Sequence, residues 1–161
     1  MDVKLHRPQA ACSRTGRTFG VGELFYSALL RGDGGLARID VAADAWETPP
    51  TGTIAWWRSR YPAADEAAPT LAPVDALLDT LEGLGEEADE PLRYLLALEL
   101  VRRRVLRIVD DAAASPGADE LVVSCRRRDR EYRVREVGRD RAAADGVEGR
   151  LAALLWSGGA A

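Results

Sequence analysis

The longest apolar pattern in the chain runs from Pro91 to Ala112, with the sequence PLRYLLALELVRRRVLRIVDDA. Apolar residues recur there at alternating steps of four and three, which places them on one face of an α-helix. The first half is apolar on almost every side, as in a helix that other elements cover on several faces. We therefore predict a central helix over 91–112, whose main face comprises Tyr94, Leu98, Val101, Val105 and Ile108.

The first part of the chain predicts a β-hairpin. The run Glu23–Leu30 is rich in aromatic and aliphatic residues and indicates a buried strand, although so short an apolar run also fits a helix. The residues at 31–35, RGDGG, favour a tight turn, and Leu36–Val41 alternates as a half-exposed strand does. One helical turn is predicted to follow at Ala42–Trp46.

A shorter helix precedes the central one. It is predicted to begin near Pro73, because proline suits the first turn of a helix. Gly83 and Gly85 indicate where it ends. Since a short loop joins the two helices, we expect them to form an antiparallel helical hairpin. The apolar stripe of the shorter helix comprises Val74, Leu77, Leu78, Leu81 and Leu84.

The last third of the chain predicts a second hairpin and a closing helix. Glu120–Arg126 and Glu131–Val137 alternate as strands, and Ala142–Trp156 is amphipathic. The fold class is therefore α+β, with an N-terminal antiparallel β unit, a central antiparallel helical hairpin, a C-terminal β-hairpin and a closing helix. We predict a β-rich unit over 1–62 and a second unit over 63–161, or one compact domain overall.

Three of the four tryptophans, Trp46, Trp56 and Trp57, fall within twelve residues. A buried tryptophan removes a large apolar area from water. We therefore expect these three side chains to cap the N-terminal sheet and attach it to the helices.

Arginines are concentrated at the end of the central helix and in the second hairpin. Over residues 126–141 there are eight arginines and four acidic residues. One interpretation is a surface that contacts a partner, and a second is a solvated face paired with neighbouring carboxylates. A third is docking of the basic hairpin against the acidic residues at 63–90 of the same chain. As partner contacts we predict Arg102, Arg103, Arg107, Arg126, Arg128 and Arg133.

Composition and motifs narrow the function classes. The net charge of −4 gives the chain no overall attraction to nucleic acid or membrane. His6 is the single histidine, and no phosphate-binding or nucleophile motif occurs in a strand-to-helix setting. The leading prediction is a non-enzymatic interaction or adaptor protein with a protein partner. The alternative is an RNA- or DNA-associated factor that contacts phosphates through its arginines.

Cysteine usage predicts free thiols and no cofactor. Cys12 and Cys125 are the only cysteines, and with His6 they make three potential zinc ligands where a closed site needs four. The run CSRTGR resembles half of a zinc knuckle, as in a remnant of a former site, but a small buried thiol beside a glycine turn is the better interpretation. Because the chain has no signal-peptide core and no apolar run long enough to span a membrane, we predict a cytoplasmic protein.

Residues 12–30, CSRTGRTFGVGELFYSALL, resemble the start of a family of uncharacterised bacterial proteins that occurs chiefly in planctomycete-type genomes. The runs GGLARID, IAWWRSR and LRYLLALELVRRRVL, together with Trp46, extend this resemblance over residues 12–107. The resemblance implies a bacterial cytoplasmic protein. It brings no activity, cofactor or catalytic residue to this chain.

Overall fold

The computed structural model describes residues 10–33, 35–63, 70–85, 89–109, 119–138, 140 and 146–157. The chain divides into two compact units. The first comprises Met1–Gly83 together with Ala152–Ala161, and the second comprises Leu84–Leu151. The first unit therefore takes in most of the shorter helix and the end of the chain, in addition to the N-terminal sheet.

The first unit is built on a three-stranded antiparallel sheet. Its strands are β1 (Leu24–Gly32), β2 (Gly35–Ala42) and β3 (Thr53–Arg60), in the order β2-β1-β3. The first two strands form the predicted hairpin, in which Phe25 lies opposite Ala42 and Gly32 opposite Gly35. A single turn of 3-10 helix follows at Ala43–Ala45, where one helical turn was expected.

Side chains alternate between the two faces of this sheet, as in any β-strand. Phe25, Ser27 and Leu29 of β1 point to one face and are completely buried. We call this the inner face. The opposite, outer face carries Tyr26 and, across β3, Trp56. The inner face is thus buried, whereas the outer face is exposed along β3 at Trp56 and Arg58 and is buried at Ala28 and Val41.

Helix α1 (Val74–Leu84) begins after Pro73, as predicted. Its side chains Leu77, Leu78 and Leu81 are completely buried. Gly83 allows the last turn of α1 to approach β3 closely, because a Cβ atom at this position would lie 2.8 Å from the Cβ of Ile54. Gly83, which with Gly85 was expected to end the helix, lies inside it and serves its packing, and Gly85 directly follows the last helical residue.

The end of the described chain returns to the first sheet region. β4 (Thr70–Leu71) pairs antiparallel with β8 (Trp156–Ser157), which directly follows the closing helix, α3 (Val147–Leu155). The helix was expected to include Trp156, which instead begins β8. Its expected start at Ala142 lies outside the described residues.

A buried ion pair joins these segments on the inner face. Arg38 Nε donates to Asp40 Oδ1 over 3.0 Å, and the Ser27 hydroxyl donates to the same oxygen over 2.6 Å. Arg38 also donates to the carbonyl oxygens of Ala153 and Leu154, over 3.3 and 3.4 Å. These carbonyls belong to the last turn of α3. The carbonyl groups in the last turn of a helix receive no hydrogen bond from an amide of the same helix and need another donor. Arg38 therefore holds the end of α3 on the sheet.

In its described residues, the second unit contains a complete helix, the first half of α3 and a second three-stranded antiparallel sheet. The helix is α2 (Glu90–Arg102), and the strands are β5 (Arg107–Ile108), β6 (Glu120–Cys125) and β7 (Arg130–Arg135), in the order β5-β6-β7. β6 and β7 form the predicted second hairpin. The buried Arg93 of α2 donates to the carbonyl oxygen of Arg133 over 2.6 Å, and Glu90 lies 3.0 Å from the Arg135 guanidinium. These contacts fix α2 on β7.

The prediction of a helix over 91–112 is wrong beyond Arg102. Arg104 adopts a left-handed conformation with φ of 61°, and its amide donates to the Val101 carbonyl. The next amide donates to the Leu100 carbonyl over 2.9 Å. This pair of bonds is the Schellman ending of a helix. The chain then turns into β5, and residues 110–112 lie outside the described part.

We expect Asp40→Ala to lower the free energy of unfolding by about 3–5 kcal/mol, because it leaves the Arg38 guanidinium buried without its charged partner. Urea denaturation of both proteins measures this difference. Asp44→Ala is the matched control, since the Asp44 side chain is 76% exposed where it pairs with Arg17. It should lose far less stability. Equal losses in the two variants would contradict the role assigned to the buried pair.

We expect Arg104→Gly to raise the free energy of unfolding by about 0.5–1 kcal/mol, because a residue with a Cβ atom is strained in the left-handed region. The same urea titration measures the change. Arg103→Gly is the control, because Arg103 has φ of −80° and gains nothing from glycine. A loss of stability in Arg104→Gly would show that the side chain matters more than the strain.

Candidate functional site

Three aromatic side chains lie together on the outer face of the first sheet. Tyr26 stacks on Trp46, with ring centroids 4.8 Å apart and ring planes inclined by 11°. The Trp56 ring centroid lies 5.9 Å from that of each of the other two. Trp56 is 48% exposed, although its ring is large and mostly apolar. We call Tyr26, Trp46 and Trp56 the aromatic surface.

The strand geometry explains why one tryptophan is exposed. Trp56 and Trp57 are consecutive in β3 and therefore point to opposite faces. Trp57 is buried on the inner face, where its ring lies 5.4 Å from the Arg38 guanidinium carbon. Trp56 points outward opposite Ala28 of β1. The prediction that all three neighbouring tryptophans attach the sheet to the helices is wrong for Trp56 and for Trp46, which lie together on the outer face.

A cavity of about 200 Å³ opens beside Trp46. Val41 in its wall lies directly opposite Tyr26 in the β1–β2 pair, so the cavity adjoins the aromatic surface. Typical sites for small molecules measure about 300–1,000 Å³, so this cavity fits a single side chain better than a whole ligand. Its walls comprise Ser13, Arg14, Ile39, Val41, Trp46, Thr48 and Pro50.

Arginines border the aromatic surface. Arg58 lies opposite Tyr26 and is exposed, and Arg60 follows on the same face of β3. Arg14 lines the cavity and lies 3.8 Å from the carboxylate of Glu47, whose side chain is 82% exposed. The surface thus combines an aromatic centre with a positively charged edge.

The six arginines predicted as partner contacts lie in the second unit, and ion pairs are described for Arg102, Arg103 and Arg133. Arg102 and Arg103 both bind Glu99, over 2.6 and 2.8 Å. The hydrogen bond from Arg102 is the main cause that lowers the pKa of the Glu99 carboxyl. Arg133 lies 3.3 Å from Glu120. At these positions the structure contains the carboxylate pairing that the sequence left as an alternative.

The other three arginines lie at or near the β6–β7 turn. Arg107 is exposed on β5 opposite Ser124 of β6. Arg126 and Arg128 belong to the turn, where Arg126 is exposed and Arg128 is half-buried. The strand pairing places Arg107 and Arg133 on one face of the second sheet. That these residues contact a partner stays a prediction.

Cys12 occupies a tight turn ahead of β1 and is 2% exposed. Burial raises the pKa of its thiol, but hydrogen bonds from the Thr15 hydroxyl and from the amides of Ala42, Thr15 and Arg14 outweigh this. Together they lower the pKa from 9.0 to about 7. Among the described residues, no group of three or more His, Cys, Asp or Glu side chains is placed to hold a metal ion.

No family model, curated protein or solved structure matches this chain. The resemblance to a family of bacterial proteins therefore stays a prediction. Across the ranges that the structure describes, no helix has both the length and the apolar character that crossing a membrane requires.

We expect the Cys12 thiol to titrate with a midpoint near pH 7, which thiolate ultraviolet absorbance measures in a Cys125→Ser background. Thr15→Val should raise this midpoint, because it removes a hydrogen bond to the sulfur. The thiol has a pKa of 9.0 in the unfolded chain and about 7 in the folded one, so folding favours the thiolate. The free energy of unfolding should therefore rise as pH increases from about 7 to 9, and this gain should be lost as pH falls back through 7. A midpoint at 9 or above would contradict the assignment.

Proposed function

We propose that this protein is a non-enzymatic cytoplasmic interaction or adaptor protein and that its partner protein binds the aromatic surface. The observation that carries this proposal is Trp56, which is 48% exposed beside the stacked rings of Tyr26 and Trp46. Tryptophan, tyrosine and arginine are the residues most enriched at the energetic centres of protein interfaces. All three occur here together.

The chemistry of the aromatic surface supports binding without catalysis. Its aromatic rings offer apolar area and stacking, and its arginines offer hydrogen bonds and positive charge. Arginine stays protonated at neutral pH, so the arginines along the edge are not suited to act as a general base. A surface of this composition is suited to holding a partner in place.

Protein is favoured over nucleic acid as the partner. Arg102, Arg103 and Arg133 already bind carboxylates, so phosphate contacts at these positions would have to displace existing ion pairs. The net charge of −4 also opposes the approach of a polyanion. An RNA- or DNA-associated factor therefore remains the second candidate, and the experiment separates the two.

We expect Trp56→Ser to reduce recovery of the partner at least tenfold, because the loss of a central aromatic residue is costly at an interface. The measurement is a tagged pull-down from extract of the native cells, quantified by mass spectrometry. Ile108→Ser is the matched control, since Ile108 is an apolar residue of the second unit that is 50% exposed. It should retain the partner.

Further arms of the pull-down separate the alternatives. Nuclease should leave the partner bound, and high salt should reduce its recovery less than it reduces recovery of a nucleic acid, because the aromatic centre of the interface depends little on ionic strength. Nucleic acid that is recovered only at low salt would favour the second candidate. The triple variant Arg126→Glu, Arg128→Glu and Arg133→Glu tests the prediction that these arginines contact a partner. That prediction is wrong if the variant retains every partner. If Trp56→Ser retains the same partners as Ile108→Ser, the proposed surface is wrong.

A further inference from the structure

We propose that the aromatic surface binds an extended acidic peptide segment of its partner, with one bulky apolar side chain of that segment filling the cavity beside Trp46. This inference rests on the proposed function and names the chemistry of the partner. It follows from the size of the cavity, the charges at its edge and the spacing of the side chains along β3.

The cavity selects an apolar anchor. Ile39, Val41, Trp46 and Pro50 provide most of its wall, and its volume is about 200 Å³. A charged side chain there would lose hydration without gaining a matching set of hydrogen bonds. A branched aliphatic or aromatic side chain would instead remove both its own surface and that of the wall from water.

The edge of the aromatic surface selects negative charge. In the part of the chain that the structure describes, no carboxylate forms an ion pair with Arg58, which is exposed opposite Tyr26. Arg60 uses one N–H group to donate to the Gly22 carbonyl over 3.1 Å and is otherwise exposed. Arg14 donates to the Ala45 carbonyl over 2.7 Å, and its 3.8 Å contact with the exposed Glu47 is a weak pair that a ligand carboxylate could replace.

The spacing along β3 favours an extended ligand. Trp56, Arg58 and Arg60 are alternate residues of one strand, so their side chains repeat about every 6.6–6.8 Å on the outer face. Alternate residues of an extended peptide repeat at the same interval. A peptide that lies along β3 therefore brings successive side chains of one face to successive members of this row. The cavity lies on the β2 side of the sheet, about 9.6 Å across β1, which roughly three further extended residues of the same segment span.

A peptide fits this surface better than single-stranded nucleic acid does. Bases bind by stacking on free ring faces. Here Tyr26 and Trp46 cover one face of each other, with ring planes inclined by 11°. A few peptide carboxylates also meet less repulsion from a chain of net charge −4 than a row of phosphates does.

The test uses the full-length chain and a phage-displayed library of random 12-residue peptides. Selected peptides should carry Asp or Glu residues around one bulky apolar residue. A labelled peptide of the enriched sequence is then titrated by fluorescence anisotropy. Arg58→Glu should weaken its binding at least tenfold, and Arg31→Glu, the same charge change at the exposed far end of β1, should change it less than twofold.

A second variant tests the cavity. Thr48 is an exposed residue of the cavity wall, so Thr48→Trp should fill the cavity without disturbing the core. It should weaken binding of the same peptide at least tenfold, and replacing the bulky apolar residue of the peptide with serine should do the same. Circular dichroism spectra that match the parent chain would establish that each variant is folded.

Several results would overturn the inference. These are enrichment of neutral or basic peptides, no enrichment at all, equal binding by Arg58→Glu and Arg31→Glu, or full binding by Thr48→Trp. Tighter binding of a 20-nucleotide oligo-dT at the same salt concentration would indicate nucleic acid instead. If Trp56→Ser loses the cellular partner but acidic peptides do not bind, the proposed function stands and this inference fails. If acidic peptides bind as expected and Trp56→Ser still retains the cellular partner, the surface binds acidic peptides, but the proposed function, in which the cellular partner binds there, fails.

Discussion

The ion pair between Arg38 and Asp40 is the constraint on which the first unit depends. Both side chains are withdrawn from water, and such a pair is tolerated only where hydrogen bonds satisfy the remaining polar atoms. Ser27 and the last carbonyls of α3 supply those bonds. A one-residue slip of β2 against β1 would turn Asp40 outward and Val41 inward. The buried pair therefore decides which face of the sheet is the inner one, and hence that Tyr26 and Trp56 face solvent.

Local patterns predicted much of the fold. Turn-forming residues between alternating strands identified both hairpins, and Pro73 with a stripe of leucines identified α1. The end of α2 was missed because Val105 and Ile108, which follow the helix, continue its alternating four- and three-residue spacing. The residue that ends α2 is Arg104, which has no special preference for the left-handed region. A glycine there would have marked the boundary.

The candidate surface was harder to predict than the fold. Charge runs are conspicuous in a sequence, and they drew attention to arginines such as Arg102 and Arg103, which share Glu99. Aromatic residues were assigned to the core because that is where most of them lie. A usable signal was present in the pair Trp56–Trp57, since consecutive residues of a strand point to opposite faces. The existence of the cavity depends on how the loop after β2 folds back, which no local pattern contains.

The contact of Arg38 with α3 also constrains how the protein is made. The residues that it joins are separated by 115 positions in the chain. At a synthesis rate of roughly 5–20 residues per second, Arg38 emerges from the ribosome about 6–23 seconds before its carbonyl partners do. During this interval the second unit is synthesised, and its helix and hairpin have time to form first. The first sheet gains its contact with α3 only afterwards. A part of the chain that is synthesised early therefore completes its folding only when the last helix has been synthesised.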